Sequence, residues 1–114
     1  MLIYKIFRAA EWHDLEQKKT TVGAPIDISD GFIHFSTADQ VKETAALHFA
    51  GVDGLWLLAV DADVLGGDLK WEPSRGGKLF PYLFRELSLS EVIWAKPLPL
   101  ENEIHVFPNL DERV

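Results

Sequence analysis

The sequence has 114 residues, of which 47% are hydrophobic and 25% are charged, and these values predict one globular domain spanning residues 1–114. It contains no cysteine, which excludes disulfides, thiolate metal sites and thiol catalysis, and its formal net charge of −7 argues against broad nucleic-acid binding. No apolar run reaches the roughly 18 residues that span a bilayer, and the start lacks the pattern of a secretory signal. We therefore expect a cytoplasmic protein that does not enter the membrane.

Two helices are predicted in the N-terminal half of the chain. Residues Leu2 to Phe7 alternate as a strand, and Ala9 to Lys19 follow with apolar residues at helical spacing. Thr20 to Asp30, with a glycine, a proline and two aspartates, is predicted to be a loop. The second helix is predicted from about Thr37 to Phe49.

The remaining apolar segments are short and have the composition of strands. Strands are predicted over Phe32–Phe35, Leu55–Val60, Leu69–Glu72, Leu79–Phe84, Glu91–Lys96 and Ile104–Phe107. Pro81 restricts its segment to a sheet edge or a strand entry, because it cannot donate to a ladder. Asp61 to Asp68 is predicted as a turn, Ser74 to Lys78 as a polar flap, and Asp111 to Val114 as a frayed end. About six short strands and two helices predict an α+β domain, whose strand order does not follow from the pattern.

The segment around His34 contains the main candidate site. Alternation along the strand places Phe32, His34 and Ser36 on one face. Thr37 is a good helix N-cap, and Gln40 follows it at the spacing of a capping box. The free N–H groups of a helix start favour an anion, so His34 is predicted to lie beside an anion site. The structural alternative is that His34 is a core histidine bonded to backbone, while Ser36 and Thr37 only cap the helix.

Other polar residues are candidates on weaker grounds. Glu72 follows Trp71 in an apolar strand, so its carboxylate is either turned to solvent or held for a purpose. Trp71 is either a core residue or a stacking surface, and Tyr82 either aims its hydroxyl into a pocket or packs at an edge. Arg75, with Lys5 and Lys78, supplies positive charge for a small anionic ligand. No two histidines have the spacing of metal ligands on one helix, so no metal is predicted. The common nucleotide-binding and hydrolase motifs are absent, which argues against those folds.

Several short motifs occur in an order that resembles the domain-of-unknown-function family 952. They are Tyr4, Trp12, the segment Gly31–Thr37 with Gln40, Leu57-Leu58 with Val60-Asp61, Trp71-Glu72 and Phe80-Pro81-Tyr82. The resemblance covers nearly the whole chain, and GFIHFST with its downstream glutamine is its most specific part. It implies a small split, mostly antiparallel sheet, similar to the ADP-ribosyltransferase fold and distantly to RNA 2′-phosphotransferases.

The resemblance also implies a ligand and roles for residues. The ligand would be NAD or an ADP-ribose-like nucleotide, with His34 orienting a ribose and Glu72 steadying a hydroxyl or the developing positive charge. The family pattern has a histidine after the Phe-Pro pair, where this chain has Tyr82, and this departure implies ligand binding with slow or absent turnover. The predicted catalytic residues are His34, Glu72 and Tyr82, and the predicted ligand-binding residues are Tyr4, Ser36, Thr37, Gln40, Trp71 and Arg75.

Two alternatives to an NAD-dependent transferase stay open at this point. The first is a non-catalytic module that binds a nucleotide or ADP-ribose in the same cleft. The second is a protein–protein adaptor, which would need an exposed apolar patch instead of a cleft, with Trp12, Trp56 and Trp94 as its sources. The oligomeric state does not follow from the sequence.

Overall fold

The computed structural model describes residues 1–110 and 113, so the predicted frayed end lies almost wholly outside the described residues. Within these residues the chain forms four α-helices, α1 (Ala9–Lys18), α2 (Pro25–Asp30), α3 (Ala38–His48) and α4 (Ala62–Leu65). The strands of the same residues are β1 (Leu2–Arg8), β2 (Thr20–Thr21), β3 (Ile33–His34), β4 (Leu55–Asp61), β5 (Leu69–Pro73), β6 (Leu79–Leu83), β7 (Leu87–Ser88), β8 (Val92–Leu98), β9 (Leu100–Glu101) and β10 (Ile104–His105). No helix in residues 1–110 and 113 is long and apolar enough to cross a membrane.

Within residues 1–110 and 113, the strands form two main antiparallel sheets that meet at one residue pair. One sheet has the order β1-β4-β8 and the other has the order β3-β6-β5. Tyr4 of β1 and Ser36, just after β3, exchange two backbone hydrogen bonds of 2.8 and 2.9 Å, which join the sheets. On one side of this bridge, residues of both strands, among them Ile6 and Arg8 of β1 and His34 of β3, line a cleft. The smaller pairs β2-β7 and β9-β10 are also antiparallel.

The sheet β1-β4-β8 is covered on both faces. Ile3 and Phe7 of β1 pack in a core with α1, β3 and β6, whereas Tyr4 and Ile6 pack in a second core under α3. This division follows from the alternation of side chains along a strand. Lys5 lies on the same face of β1 as Ile3 and Phe7, and it is buried although it is charged.

The two predicted helices and the main antiparallel strands are confirmed, but the prediction of only two helices was wrong. The predicted loop at Thr20–Asp30 contains β2 and α2, and the predicted turn at Asp61–Asp68 contains α4. Five of the strands in the described part of the chain have only two residues, and β2, β7 and β9 fall outside every predicted strand. Pairs this short carry too few residues for an alternating pattern.

The placement of Pro81 at an edge was also wrong. Pro81 lies in β6, the central strand of the order β3-β6-β5. Its carbonyl accepts a hydrogen bond of 3.0 Å from the N–H of Phe35, just past the end of β3. Because a residue's nitrogen and carbonyl face the same side of a strand, the missing N–H of Pro81 falls where β3 has already ended. Pro81 cannot return a hydrogen bond to Phe35, so the ladder between β3 and β6 stops at this pair.

Candidate functional site

An open cleft of about 1310 Å³ lies where the two sheets separate, larger than the roughly 300–1,000 Å³ of ordinary ligand pockets. Its floor comes from β1, β3 and β6, and its walls come from α2, the C-terminal half of α3 and the loop between β5 and β6. The lining includes two exposed apolar side chains, Ile26 on the α2 wall and Leu47 on the α3 wall. A concave surface between separated sheets is the principal candidate for a ligand site.

The polar centre of the cleft is built around the buried carboxylate of Asp27. Its Oδ2 accepts hydrogen bonds from Lys5 Nζ and from the N–H of Ala24, both at 2.7 Å. Its Oδ1 accepts from the N–H of His34 at 3.0 Å and lies 2.6 Å from His34 Nδ1. Four partners satisfy the lone pairs of one carboxylate, so this buried charge is fully compensated.

Burial acts on the two charged members of this group in different ways. Burial raises the pKa of Asp27, but the hydrogen bond from His34 and the charge of Lys5 outweigh it and hold that pKa below its ordinary value. Burial lowers the pKa of Lys5 below its ordinary value despite the opposing effect of Asp27. Lys5 is thus neutralised by Asp27, and it contributes little free positive charge to the cleft.

The local sequence explains how Asp27 reaches this position. Pro25 takes the first position of α2, where a missing N–H costs nothing, and Asp27 is two residues further on, facing back toward Ala24. Gly23 precedes the helix with a φ of +102°, and a Cβ there would lie 2.8 Å from Asp27 Cγ. Gly31 ends the helix in the left-handed conformation, with a φ of +86°, and turns the chain into β3. The expected turn at Asp30-Gly31 is therefore the C-terminal cap of α2.

His34 is held by Asp27 with its other nitrogen at the cleft. Its side chain is 27% exposed, and its Nε2 lies 2.9 Å from Oδ2 of Asp30, a carboxylate that is 41% exposed. With Nδ1 held by Asp27, Nε2 is the nitrogen on the cleft side, and a ligand reaches it by displacing Asp30. The exposed Asp30 is the weaker of the two carboxylate partners, because solvent screens it.

Aromatic side chains surround His34 on the same sheet face. Tyr82 is the cross-strand partner of His34, and its ring meets the imidazole edge-on at 5.0 Å between centroids. Phe32 stacks on Tyr82 at 4.4 Å with an interplanar angle of 25°, and it contacts His34 at 4.6 Å. The Tyr82 hydroxyl makes no hydrogen bond to any residue in the described part of the chain, although Tyr82 lines the cleft. This hydroxyl is therefore available to a bound molecule.

A second polar group lies on the α3 side of the cleft. Ser36 Oγ and Thr44 Oγ1 are 3.1 Å apart, and Thr44 Oγ1 donates to the carbonyl of Gln40 at 3.1 Å. Arg75 Nη2 donates to Thr44 Oγ1 at 3.2 Å. Ser36, Thr44 and Arg75 thus form a connected polar edge of the cleft.

Five of the predicted site residues line the cleft, and four lie outside its lining. The five are Tyr4, His34, Ser36, Arg75 and Tyr82, and the four are Thr37, Gln40, Trp71 and Glu72. The ring of Tyr4 packs against Trp94, and its hydroxyl donates to the carbonyl of Leu110. Tyr4 therefore does not present its hydroxyl to His34.

Glu72 and Trp71 are on the outer strand of their sheet. In β5, Glu72 pairs with Phe80 and Trp71 pairs with Pro81, so β6 separates both residues from β3 and His34. Glu72 is half-buried, and Trp71 is 38% exposed. Glu72 shares a sheet face with its cross-strand partner Phe80, but Glu72 itself lies outside the lining of the cleft.

The start of α3 lies at a different pocket from His34. The expected anion site, formed by His34 and the start of α3 together, is therefore not present in the described part of the chain. Thr37, Ala38 and Asp39 line a separate, smaller pocket together with residues of the N and C termini. The side chain of Gln40 accepts from the N–H of Thr37 at 3.0 Å and donates to the carbonyl of Leu79 at 2.8 Å. Gln40 therefore fixes α3 to β6, and both ends of its amide group are used.

The sequence analysis did not find Asp27, Phe32 and Thr44 as site residues. The pattern that marks Asp27 is a proline two residues before an aspartate, after glycine and alanine, which is an N-terminal helix signal. That signal predicts α2 but not the burial of its carboxylate.

Within residues 1–110 and 113 no group of three or more histidine, cysteine, aspartate or glutamate side chains is arranged to hold a metal ion.

Comparison with known proteins assigns this chain to a family. The family described as protein of unknown function DUF952 matches residues 6–95, and the chain belongs to that family. The solved structures that it resembles include the X-ray structure of protein CC0527 from Caulobacter crescentus, with 47% identity and a TM-score of 0.90 over 93% of this chain and 94% of that one. The solution NMR structure of CC0527 is 48% identical, with a TM-score of 0.82 over 91% of this chain and 90% of that one. No curated protein matches the chain.

Proposed function

We propose that the cleft binds a ligand with ADP-ribose chemistry, of which NAD is one form, and that the protein turns NAD over slowly or not at all. The observation that carries this proposal is the contact of His34, held by the buried Asp27, with Tyr82, whose hydroxyl has no hydrogen-bond partner among the described residues. Both groups are on the floor of a cleft that is wide enough for a nucleotide. A ribose offers neighbouring hydroxyls that both groups can hydrogen-bond.

The aromatic surroundings suit the rest of such a ligand. Phe32 is half-buried and lines the cleft, so part of its ring is exposed for stacking against a base. Tyr82 supports Phe32 from behind through the stacked contact of 4.4 Å. His34 is positioned by Asp27 before any ligand arrives, which lowers the cost of ordering the site on binding.

An architecture related to the ADP-ribosyltransferases is part of this proposal. It is supported by the two antiparallel sheets joined only at the Tyr4–Ser36 bridge within the described residues, with the cleft where they separate. In the proposed role His34 orients the ribose, as the family resemblance implies. The proposed role leaves out Glu72, because its side chain is not part of the cleft's lining.

Slow turnover follows from the residue beside His34. A histidine accepts and returns protons near neutral pH, whereas a tyrosine hydroxyl mainly makes hydrogen bonds there. We therefore expect Tyr82→His to leave ADP-ribose affinity within about threefold and to raise NAD consumption, if the family's histidine transfers protons. Rapid NAD consumption by the parent protein would show that Tyr82 does not limit the reaction.

Ligand binding is tested by thermal shift with NAD, ADP-ribose and AMP. A ligand at 100 times its Kd stabilises a protein by about 2.7 kcal/mol, which is a rise in Tm of about 10 °C for a domain of this size. The informative variant is His34→Asn, whose amide nitrogen can replace Nδ1 beside Asp27 while the cleft-facing Nε2 is lost. We expect it to keep most of the parent Tm and to lose most of the ligand shift.

The control for this variant is His13→Asn on α1, whose side chain is 63% exposed and contacts Glu16 outside the cleft. It should show the full ligand shift. Equal shifts in parent, His34→Asn and His13→Asn would place binding away from His34, and the absence of any shift with all three compounds would overturn the proposed function.

The three tryptophans that were expected to supply an adaptor's apolar patch are not exposed. Trp12 and Trp94 are buried, with exposed fractions of 8% and 7%. Trp56 is half-buried and stacks on Trp12 at 5.7 Å. These tryptophans therefore belong to the cores and do not form an exposed patch.

A further inference from the structure

Arg75 is held over the α3 edge of the cleft by three contacts of different kinds. Its guanidinium carbon lies 5.0 Å from the centroid of the Phe80 ring. Its Nη2 donates to Thr44 Oγ1 at 3.2 Å, and its Nε lies 2.7 Å from Glu43 Oε1. Its Nη1 has no partner within residues 1–110 and 113, so the N–H groups there are unused.

Two of these contacts, with Phe80 and Thr44, come from uncharged side chains that position the guanidinium. Phe80 is 6% exposed and supports the flat face of the group. Thr44 is itself fixed, because its hydroxyl donates to the carbonyl of Gln40. Removal of Glu43 therefore leaves Arg75 in place.

The third contact supplies the opposite charge and is the weakest. The side chain of Glu43 is 60% exposed, whereas that of Arg75 is 27% exposed. Ion pairs with so exposed a partner contribute little stability, because water and salt screen them. Glu43 occupies Nε and leaves Nη1 open, so its negative charge opposes a second anion at this guanidinium without blocking it.

We propose that Arg75 is the phosphate-binding residue of the cleft and that Glu43 sets the affinity of this subsite by competing for the same guanidinium. The proposal rests on the proposed function only in taking the cleft as a ligand site. Arginine offers parallel N–H groups that match two oxygens of a phosphate, and Nη1 with Nη2 presents such a pair next to Thr44. A doubly charged phosphate gains more from Arg75 than a carboxylate does, so Glu43 favours phosphorylated ligands over carboxylates.

The proposal is tested by calorimetric titration with inorganic pyrophosphate at low ionic strength. We expect Glu43→Gln to bind pyrophosphate about three- to tenfold more tightly than the parent, the scale expected for removal of one nearby, partly screened negative charge. The control is Glu16→Gln, which makes the same change in net charge on α1, at a side chain that is 45% exposed. Its affinity should equal that of the parent. Arg75→Gln should weaken binding at least about tenfold, because a charge-assisted hydrogen-bond pair is lost.

The outcomes separate this inference from the proposed function. If pyrophosphate binding depends on Arg75 and Glu43 but ADP-ribose binds no more tightly than pyrophosphate, the inference stands and the proposed function fails. If ADP-ribose shows a His34-dependent shift while Glu43→Gln and Arg75→Gln bind both compounds like the parent, the inference is overturned and the proposed function stands. An equal gain in Glu43→Gln and Glu16→Gln also overturns it, because the effect would then come from net charge alone. If neither compound binds, both proposals fail.

Discussion

Replacement of Asp27 by asparagine removes one charge from an enclosed polar group and nearly preserves its shape. Asp27 is 1% exposed, and its carboxylate accepts from Lys5, from the N–H of Ala24 and from two nitrogens of His34. An asparagine keeps one acceptor oxygen and replaces the other with an NH2 group, so the donors that faced the replaced oxygen lose their acceptor. Lys5 also becomes a buried charge without a counter-ion. Breaking a buried pair in this way costs about 3–5 kcal/mol.

The assay is the free energy of unfolding from urea titration, supported by Tm. At about 4 °C per kcal/mol for a domain of this size, the loss corresponds to a fall in Tm of about 12–20 °C. The matched control is Asp30→Asn, which also removes a carboxylate contact to His34, but at a side chain that is 41% exposed. We expect it to change stability by no more than about 0.5 kcal/mol.

A second variant identifies the cause of the loss. Lys5→Met in the Asp27→Asn background removes the uncompensated charge, and it should recover part of the lost stability. A loss of less than about 1 kcal/mol in Asp27→Asn, or one no larger than in Asp30→Asn, would refute the reasoning. So would a double variant that is less stable than Asp27→Asn alone, because Lys5 would then not be the source of the cost.

Three further predictions concern the Asp27 carboxylate, the glycines on either side of α2, and Glu72 on the edge strand. Because the folded-state pKa of Asp27 is lowered, its stabilising effect is complete above the unfolded pKa of about 4 and is lost as pH falls through the folded value; urea midpoints measured against pH should fall less steeply in acid for Asp27→Asn than for the parent, and parallel curves would contradict this. Gly23→Ala should lose at least about 2 kcal/mol of stability, since its new methyl group clashes with Asp27 in addition to the strain of a positive φ. Gly31→Ala has open space around its Cβ position and should lose only about 1 kcal/mol. Equal losses would mean that Asp27 moves to accommodate the new methyl group. Glu72→Gln should change stability by no more than about 0.5 kcal/mol and leave the ligand shift intact, and a lost shift would return Glu72 to the site.

The sequence predicts the elements whose residues repeat a pattern over several positions. The helix α3 is predicted from Thr37 at its start and from the spacing of Val41 and Ala45, both of which are buried. The strand β4 is predicted because it is covered on both faces and is therefore apolar throughout. These signals are local, so they are readable without the fold.

The helix α2 shows why the rest could not be predicted. Its apolar residues Ile26 and Ile28 are 59% and 61% exposed, and the residue that it buries is the charged Asp27. A pattern that assigns apolar residues to the interior therefore gives the wrong face. The burial of Asp27 becomes favourable only when the fold brings Lys5 and His34 to it, and those residues are far away in the chain or on another element.

The candidate site was predicted in part for the same reason. His34 and Ser36 share a strand face, which follows from alternation, and both line the cleft. The direction of α3 does not follow from the sequence. Its start lies at the smaller pocket, while its last turns form a wall of the cleft.

The bridge between Tyr4 and Ser36 has a consequence for hydrogen exchange. Its two N–H groups donate to each other's carbonyls at 2.8 and 2.9 Å, and they join the sheets at the point where the cleft begins. Separation of the sheets exposes both amides in one event, whereas the amides of β4, paired on both sides, need a larger opening. The Tyr4 and Ser36 amides should therefore exchange with deuterium at a common rate, faster than those of β4. A ligand that spans the two sheets should slow both by the same factor.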